Sequence, residues 1–188
     1  MTSCGWPTTR SAPPTPDLSV ADDPLVSASA EDGLSRVRAA AAERALDVEI
    51  RERPAARSLH EAAALLGLQP ADIVKTLVVK RSDDTYLFAL IPGDRAISWP
   101  KLRAVVGVNK LQLPDPQRAF EATGYERGTI VPIGSTTDWP VFADEQVVGK
   151  RIAMGAGAHG YSLFVDSDEL IAAYGATVAD ISQPIDGA

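Results

Sequence analysis

The chain has 188 residues, 45% of them hydrophobic, which suits one globular domain with a substantial core. Its formal net charge of -7 argues against non-specific binding along a phosphate backbone and leaves room only for a local basic pocket. A single cysteine, Cys4, and two histidines without HExxH or HxH spacing, His60 and His159, exclude an intrachain disulfide, a cysteine zinc site and a histidine-rich metal centre.

Residues 1–32 are rich in Pro, Ser, Thr, Ala and Asp and show little periodicity, so they are expected to form a flexible leader, with the domain running from 33 to 188. Leu34, Val37, Ala41 and Ala45 then recur on one helical face. Val48 and Ile50 alternate with charged residues as in a half-buried strand. Ser58-Leu59-His60-Glu61 reads as a capping box opening a helix that Gly67 closes. Ile73 to Lys80 and Thr85 to Ile91 read as a hairpin turning near Asp83-Asp84. Helices are expected from Pro100 to Val106 and from Pro116 to just before Gly124. Strands are expected at Ile130-Val131, Val141-Phe142, Arg151 to Met154 and Tyr161 to Val165. A last helix spans Asp168 to Tyr174, with Ser167 as its cap. Strands and helices do not alternate strictly, so a mixed, barrel-like α/β sheet flanked by helices is expected. No apolar run approaches the roughly 18–20 residues that span a bilayer, and no basic start precedes an apolar stretch, so the default compartment is the cytoplasm.

Three segments can carry chemistry. In Asp72-Ile73-Val74-Lys75-Thr76-Leu77-Val78-Val79, a lysine sits among β-branched residues. Strand faces alternate, so it either faces solvent or stands at a pocket mouth, where an ammonium holds a phosphate or polarises an ester. In Thr123 to Gly134, three glycines and a proline fix an irregular backbone. That backbone is either a plain turn or an oxyanion support built from exposed N–H groups. Gly155-Ala156-Gly157-Ala158-His159-Gly160 lacks the spacing of a dinucleotide fingerprint and reads as a loop that leaves room for a ligand. His159 is a surface histidine or a general base; no orienting carboxylate can be read for it. Ser135-Thr136-Thr137 has no serine-hydrolase context, and Trp99 and Trp139, each before a proline, suit packing or pocket lining.

The order of these segments resembles the YbaK/prolyl-tRNA synthetase-associated editing family over residues 33 to 181. The matching pieces are Glu61 to Gly67, Asp72 to Val79, Thr123-Gly124-Tyr125 through Pro132-Ile133-Gly134, and the final glycine-rich loop. The resemblance implies a metal-free, cofactor-free fold that hydrolyses the ester of a wrong amino acid on tRNA, typically proline tRNA. It implies catalytic roles for Lys75 and Gly128. It implies substrate binding by Pro132, Gly134, Gly155, Gly157, His159, Gly160 and Ser162. The cysteinyl-tRNA-clearing branch carries an aspartate where this chain has Ser162, a tyrosine matched here by Ile50, and commonly an arginine at the place of His159. A deacylase of altered specificity is therefore expected.

On this reading water or a neighbouring group on the substrate attacks the ester, while Lys75 and amides near Gly128 stabilise the developing charge. The implied partners are the aminoacyl-tRNA acceptor end and prolyl-tRNA synthetase, without DNA or membrane. The rival class is a non-catalytic nucleotide- or protein-binding module that retains the pocket.

Overall fold

The structure is a computed structural model that describes residues 24–185 except 55 and 57, with side chains from residue 31 onward. The described chain is mixed α/β. Helix α1 spans Pro24–Glu43 and leads into strand β1, Val48–Glu52. Helix α2, Leu59–Leu66, precedes a hairpin of β2, Val74–Arg81, and β3, Tyr86–Pro92. Then come β4 (Arg95–Ile97), α3 (Trp99–Val106), β5 (Leu111–Gln112) and α4 (Pro116–Thr123). The second half supplies β6 (Val141–Asp144), β7 (Arg151–Met154), β8 (Tyr161–Asp166), α5 (Ser167–Tyr174), β9 (Thr177–Ala179) and β10 (Ser182–Pro184).

Among the described residues the strands form three sheets, in the orders β1-β8-β7, β5-β2-β3-β6-β9 and β10-β4. The pairs β3–β6 and β6–β9 are parallel and the others antiparallel, so the five-stranded sheet is mixed. A lone parallel bridge, Ile73 to Ala153, ties the five-stranded sheet to the three-stranded one. Among the described residues these sheets do not close into the expected barrel.

Strand alternation builds the core. In the β2–β3 hairpin Val78 pairs with Phe88 and Val79 with Leu87, so successive residues face opposite sides. Val74, Val78, Phe88 and Leu90 join the larger cluster with Leu34, Val37, Ile133, Ile152 and Leu163. Val79, Leu87, Ala89 and Ile91 join a smaller one closed by Leu102 of α3 and Ile181. No helix among the described residues is long and apolar enough to cross a membrane.

Local chemistry explains most element boundaries. The Ser58 side chain accepts from the Glu61 N–H, and Gly67 ends α2 in left-handed geometry at φ 66°. Asp115 caps α4 in the same way as Ser58 caps α2. Four expectations are corrected. The first helix starts at Pro24 rather than near Gly33, since Ala28, Ala30 and Glu31 favour helix whatever their periodicity; residues 1–23 of the expected leader lie outside the described residues. Ile130 and Val131 are buried but belong to no strand, since the glycines and Pro132 around them hold an irregular path. Asp166, not Ser167, caps α5, because its carboxylate accepts from the N–H groups of both Asp168 and Glu169. Ala45 lies past the end of α1, exposed at φ 53°, so the chain has already turned there and the residue does not continue the helical face; the short strands β4, β5, β9 and β10 carry too few residues to show a period.

Helix α1 lies directly on the glycine-rich loop. A side-chain carbon added at Gly33 would collide with the Gly157 carbonyl, and one added at Gly157 would sit 2.8 Å from the Tyr125 ring and 2.9 Å from the Gly33 oxygen. A helical Gly→Ala exchange ordinarily stabilises by about 1 kcal/mol. Gly33→Ala is expected to do the opposite, lowering stability by about 1–3 kcal/mol as α1 is pushed off the loop. Urea denaturation of the two proteins measures the sign; a stabilised variant would show that α1 is free to move away.

Candidate functional site

A cavity of about 790 Å³ opens between α2, the Lys75 end of β2, the start of α4 and the β7–β8 pair. It brings together four residues expected in the site: Lys75, Gly128, Gly155 and Ser162. Its walls are mostly apolar, including Ala62, Leu66, Val78, Ala119, Ile130 and Met154. A concave apolar site with a few polar groups is the usual form of a small-ligand pocket. The charged residues that line it are Arg53, Lys75 and Arg127, with no carboxylate, although the chain as a whole carries -7.

Lys75 is half-buried. Its ammonium donates to the carbonyl of Gly93 at 3.1 Å and to that of Arg95. Burial pulls its pKa below the ordinary lysine value, and the Asp94 carboxylate opposes that shift. An ammonium has three donors, so two carbonyls fix its position and leave one hydrogen for a ligand. Thr76, one residue on, also lines the cavity, and its hydroxyl is buried with no hydrogen-bond partner among the described residues. It lies within the Asp72 to Val79 motif, where nothing in the pattern marks it as a separate polar group.

The loop after α4 supplies the opposite wall. Gly128 has φ 95° and lines the cavity. The Thr129 N–H turns back to Glu126, whereas the Gly128 N–H meets no acceptor among the described residues. Gly155 must be glycine for space, since a side-chain carbon there would lie 2.5 Å and 2.6 Å from the carbonyl oxygens of Thr129 and Ile130. Ser162 is 5% exposed, and its hydroxyl accepts from the Arg53 Nε at 2.9 Å.

The other expected residues stand outside the cavity wall. Pro132 is buried, and its carbonyl accepts from the Ser135 N–H. Gly134 lies beside Arg36 and the Tyr125 hydroxyl. Gly157 packs on α1, and its N–H donates to Thr129. Gly160 accepts from the Arg53 N–H at 2.7 Å. His159 is exposed beside Gly128, with its Nε2 3.0 Å from a Glu126 carboxylate oxygen. Ile50 pairs with Leu163 and packs against the core, while Arg53, three residues further, is the one that reaches the cavity. Sequence reasoning missed Arg53 because it follows the last residue of β1, where alternation no longer reports a face. Among the described residues no three His, Cys, Asp or Glu side chains gather as a metal site.

Residues 53–173 match the family profile described as an aminoacyl-tRNA editing domain. The chain is 34% identical over 119 residues to the proline–tRNA ligase of Heliobacterium modesticaldum, covering 63% of this chain and 20% of that protein. It is 35% identical over 86 residues to the proline–tRNA ligase of Thermosipho melanesiensis, covering 46% of this chain and 15% of that one. The chain thus spans about a fifth or less of the length of these relatives. Among solved structures, a protein proposed as a trans-editing enzyme for prolyl tRNA synthetase aligns with TM-score 0.75 at 28% identity, covering 80% of this chain and 97% of that one. A hypothetical protein aligns with TM-score 0.74 at 28% identity, covering 79% and 99%.

The loop that carries Gly128 is pinned by Tyr125, which is 1% exposed and donates its hydroxyl to the Ile133 carbonyl at 2.9 Å. Burial pushes its phenol from 10.0 up to about 12. A raised folded-state pKa means that this contribution to stability is complete below the unfolded value and lost as pH rises through the folded one. Stability should therefore fall between about pH 10 and pH 12. Tyr125→Phe should cost about 1–3 kcal/mol at neutral pH, by leaving the Ile133 carbonyl unpaired, and should flatten that alkaline decline. Urea melts of both proteins across this pH range check it; an equally steep decline in the Phe variant would assign it to another group.

Proposed function

Since the chain belongs to the aminoacyl-tRNA editing domain family, we propose that it is a deacylase that hydrolyses the ester of misacylated tRNA, with proline tRNA or a relative as the carrier. One observation carries this reading: the cavity gathers Lys75, Gly128 and Gly155 from three segments far apart in sequence. An apolar cavity of this size accommodates a terminal adenosine and a small acyl group. Arg53, Arg127 and Lys75 line it with positive charge against the phosphates of an acceptor end. The candidate partners are that acceptor end and prolyl-tRNA synthetase.

The chemistry needs no covalent intermediate. Among the described residues no serine, threonine or cysteine is hydrogen-bonded to a histidine: His159 faces Glu126. Water, assisted by the ribose hydroxyl beside the ester, attacks the carbonyl carbon; the bond to the esterified ribose oxygen breaks, and that oxygen takes up the proton that water loses. The free hydrogen of the Lys75 ammonium and the Gly128 N–H meet the oxygen on which charge develops. Donors of this kind are worth about 3–4 kcal/mol of barrier each. The two carbonyls that hold Lys75 matter as much as its charge, because an ammonium already fixed in place needs no reorganisation as the ester reacts. Pro132, Gly134 and Gly157 contribute by holding the loops, and His159 and Gly160 border the entrance.

The test is turnover of a panel of aminoacyl-tRNAs. Lys75→Ala should lower deacylation of every substrate by about 100-fold or more. It should shift the melting temperature by only a few degrees, because the side chain is half-buried and contributes little apolar packing. Retained turnover in a folded Lys75→Ala protein would remove Lys75 from the mechanism. A wild-type protein that binds the acceptor end tightly and cleaves no ester would identify a binding module instead.

A further inference from the structure

The three cations of the cavity differ in what they can still do. Lys75 has given two of its donors to carbonyls, and Arg127 is exposed. Arg53 is half-buried and fixed at both ends. Its N–H continues the β1–β8 ladder to the Gly160 carbonyl at 2.7 Å, and its Nε donates to the buried Ser162 hydroxyl at 2.9 Å. Arg51 pairs with Ser162 on one face of the sheet, and the bond from Arg53 Nε to the Ser162 hydroxyl brings the Arg53 side chain to that face. Nη1 donates to the Pro54 carbonyl at 3.2 Å, and Nη2 meets no acceptor among the described residues. The neighbour on the same face shows the contrast: the Arg51 guanidinium is neutralised by Glu49 at 2.6 Å and 2.9 Å and lies over the Phe164 ring.

We infer that Arg53, oriented by Ser162, is the specificity-determining residue of this cavity and reads an oxyanion of the substrate. The inference rests on the deacylase reading above. The oxyanion is either a carboxylate on the side chain of the esterified amino acid or the phosphate of the terminal nucleotide; both fit a planar guanidinium with open donors. Ser162 makes this possible by being neutral. Its hydroxyl accepts from Nε and so sets the guanidinium plane, yet leaves the positive charge uncancelled. A carboxylate at position 162 would hold the same nitrogen and neutralise it, turning an anion-reading wall into an internally paired one.

The experiment compares kcat/KM for aspartyl and asparaginyl esters of one tRNA, a near-isosteric pair that differs in charge. It uses the wild-type protein, Arg53→Gln and Ser162→Asp. If the oxyanion is on the amino acid, the wild type prefers the aspartyl ester by about tenfold or more, and both variants lose that preference. If it is the phosphate, both esters fall together in both variants, and the fall disappears on adenosine esters that lack the phosphate. Ser162→Thr, which keeps the acceptor oxygen, retains the wild-type pattern of preference in either case, whatever its overall rate. Folded Arg53→Gln protein with wild-type kcat/KM on both esters overturns the inference. A wild type that cleaves no ester defeats the deacylase reading alone. Titration with adenosine monophosphate and with N-acetylaspartate then decides Arg53. Weakening of either by about tenfold in Arg53→Gln supports the inference, and equal binding, or no binding of either to the wild type, overturns it.

Discussion

The architecture around the cavity depends on one buried ring. Tyr125 sits where three segments without regular sheet structure meet, and each is shaped to it. Its hydroxyl holds the Ile133 carbonyl within its own loop. The Arg36 guanidinium of α1 lies 4.4 Å from the ring centroid and reaches past it to the Gly124 carbonyl at 2.6 Å. Gly157 approaches the ring edge so closely that a side-chain carbon there would stand 2.8 Å from it. A cation–π contact of this kind contributes about 0.5–2 kcal/mol, and the buried hydroxyl bond avoids the penalty of an unpaired carbonyl. The larger effect is geometric. Gly128 and Gly155 stand on irregular backbone, and irregular backbone keeps a fixed shape only where side chains over-determine it.

That dependence separates the two kinds of glycine in this chain, which the sequence presents alike. Gly128 and Gly155 line the cavity, whereas Gly134 and Gly157 leave room for Arg36, Tyr125 and α1. Both kinds make a motif look like a binding loop, since either demands that no side chain be present. The caps, the hairpin and the helices ended by glycine were legible because each is set by residues within a few positions of one another. Lys75 was legible as a site candidate through its motif, but the carbonyls of Gly93 and Arg95 that hold its ammonium come from the turn after β3 and the first residue of β4 and could not be read. Ile50 and Arg53 show the same limit. Periodicity marks Ile50 as the alternating residue, yet the side chain that reaches the cavity is the one just past the end of the strand, placed by its hydrogen bonds to Gly160 and Ser162. Such contacts are tertiary and leave no local pattern.

The charge distribution follows from the same construction. The chain is acidic overall, and among the described residues many of its surface cations are paired: Arg44 with Asp138, Arg51 with Glu49, Lys101 with Asp180. The cavity departs from this rule. Its cations have no carboxylate among the lining residues, and withdrawing an unpaired charge from water is unfavourable. The fold offsets that penalty with dipoles instead of charges. Carbonyls of Gly93 and Arg95 receive Lys75, and the Ser162 hydroxyl and the Pro54 carbonyl receive Arg53.

Dipoles and counter-ions are not equivalent solutions. A carboxylate would pair the half-buried cation directly, but it would also cancel the field that draws a negative ligand. Carbonyl and hydroxyl partners satisfy donors one at a time and leave net charge in place. The lowered pKa of Lys75 is the residue of that compromise: burial still acts on it, and the distant help of Asp94 offsets only part of the effect. A folded protein that retains such strain at one cavity, while pairing charges over much of its surface, is balanced toward ligand binding at that place rather than toward stability. The same logic makes position 162 decisive. A neutral acceptor there belongs to the dipole strategy, and any acidic residue would convert that wall to the counter-ion strategy, with the orientation of Arg53 kept and its charge spent inside the protein.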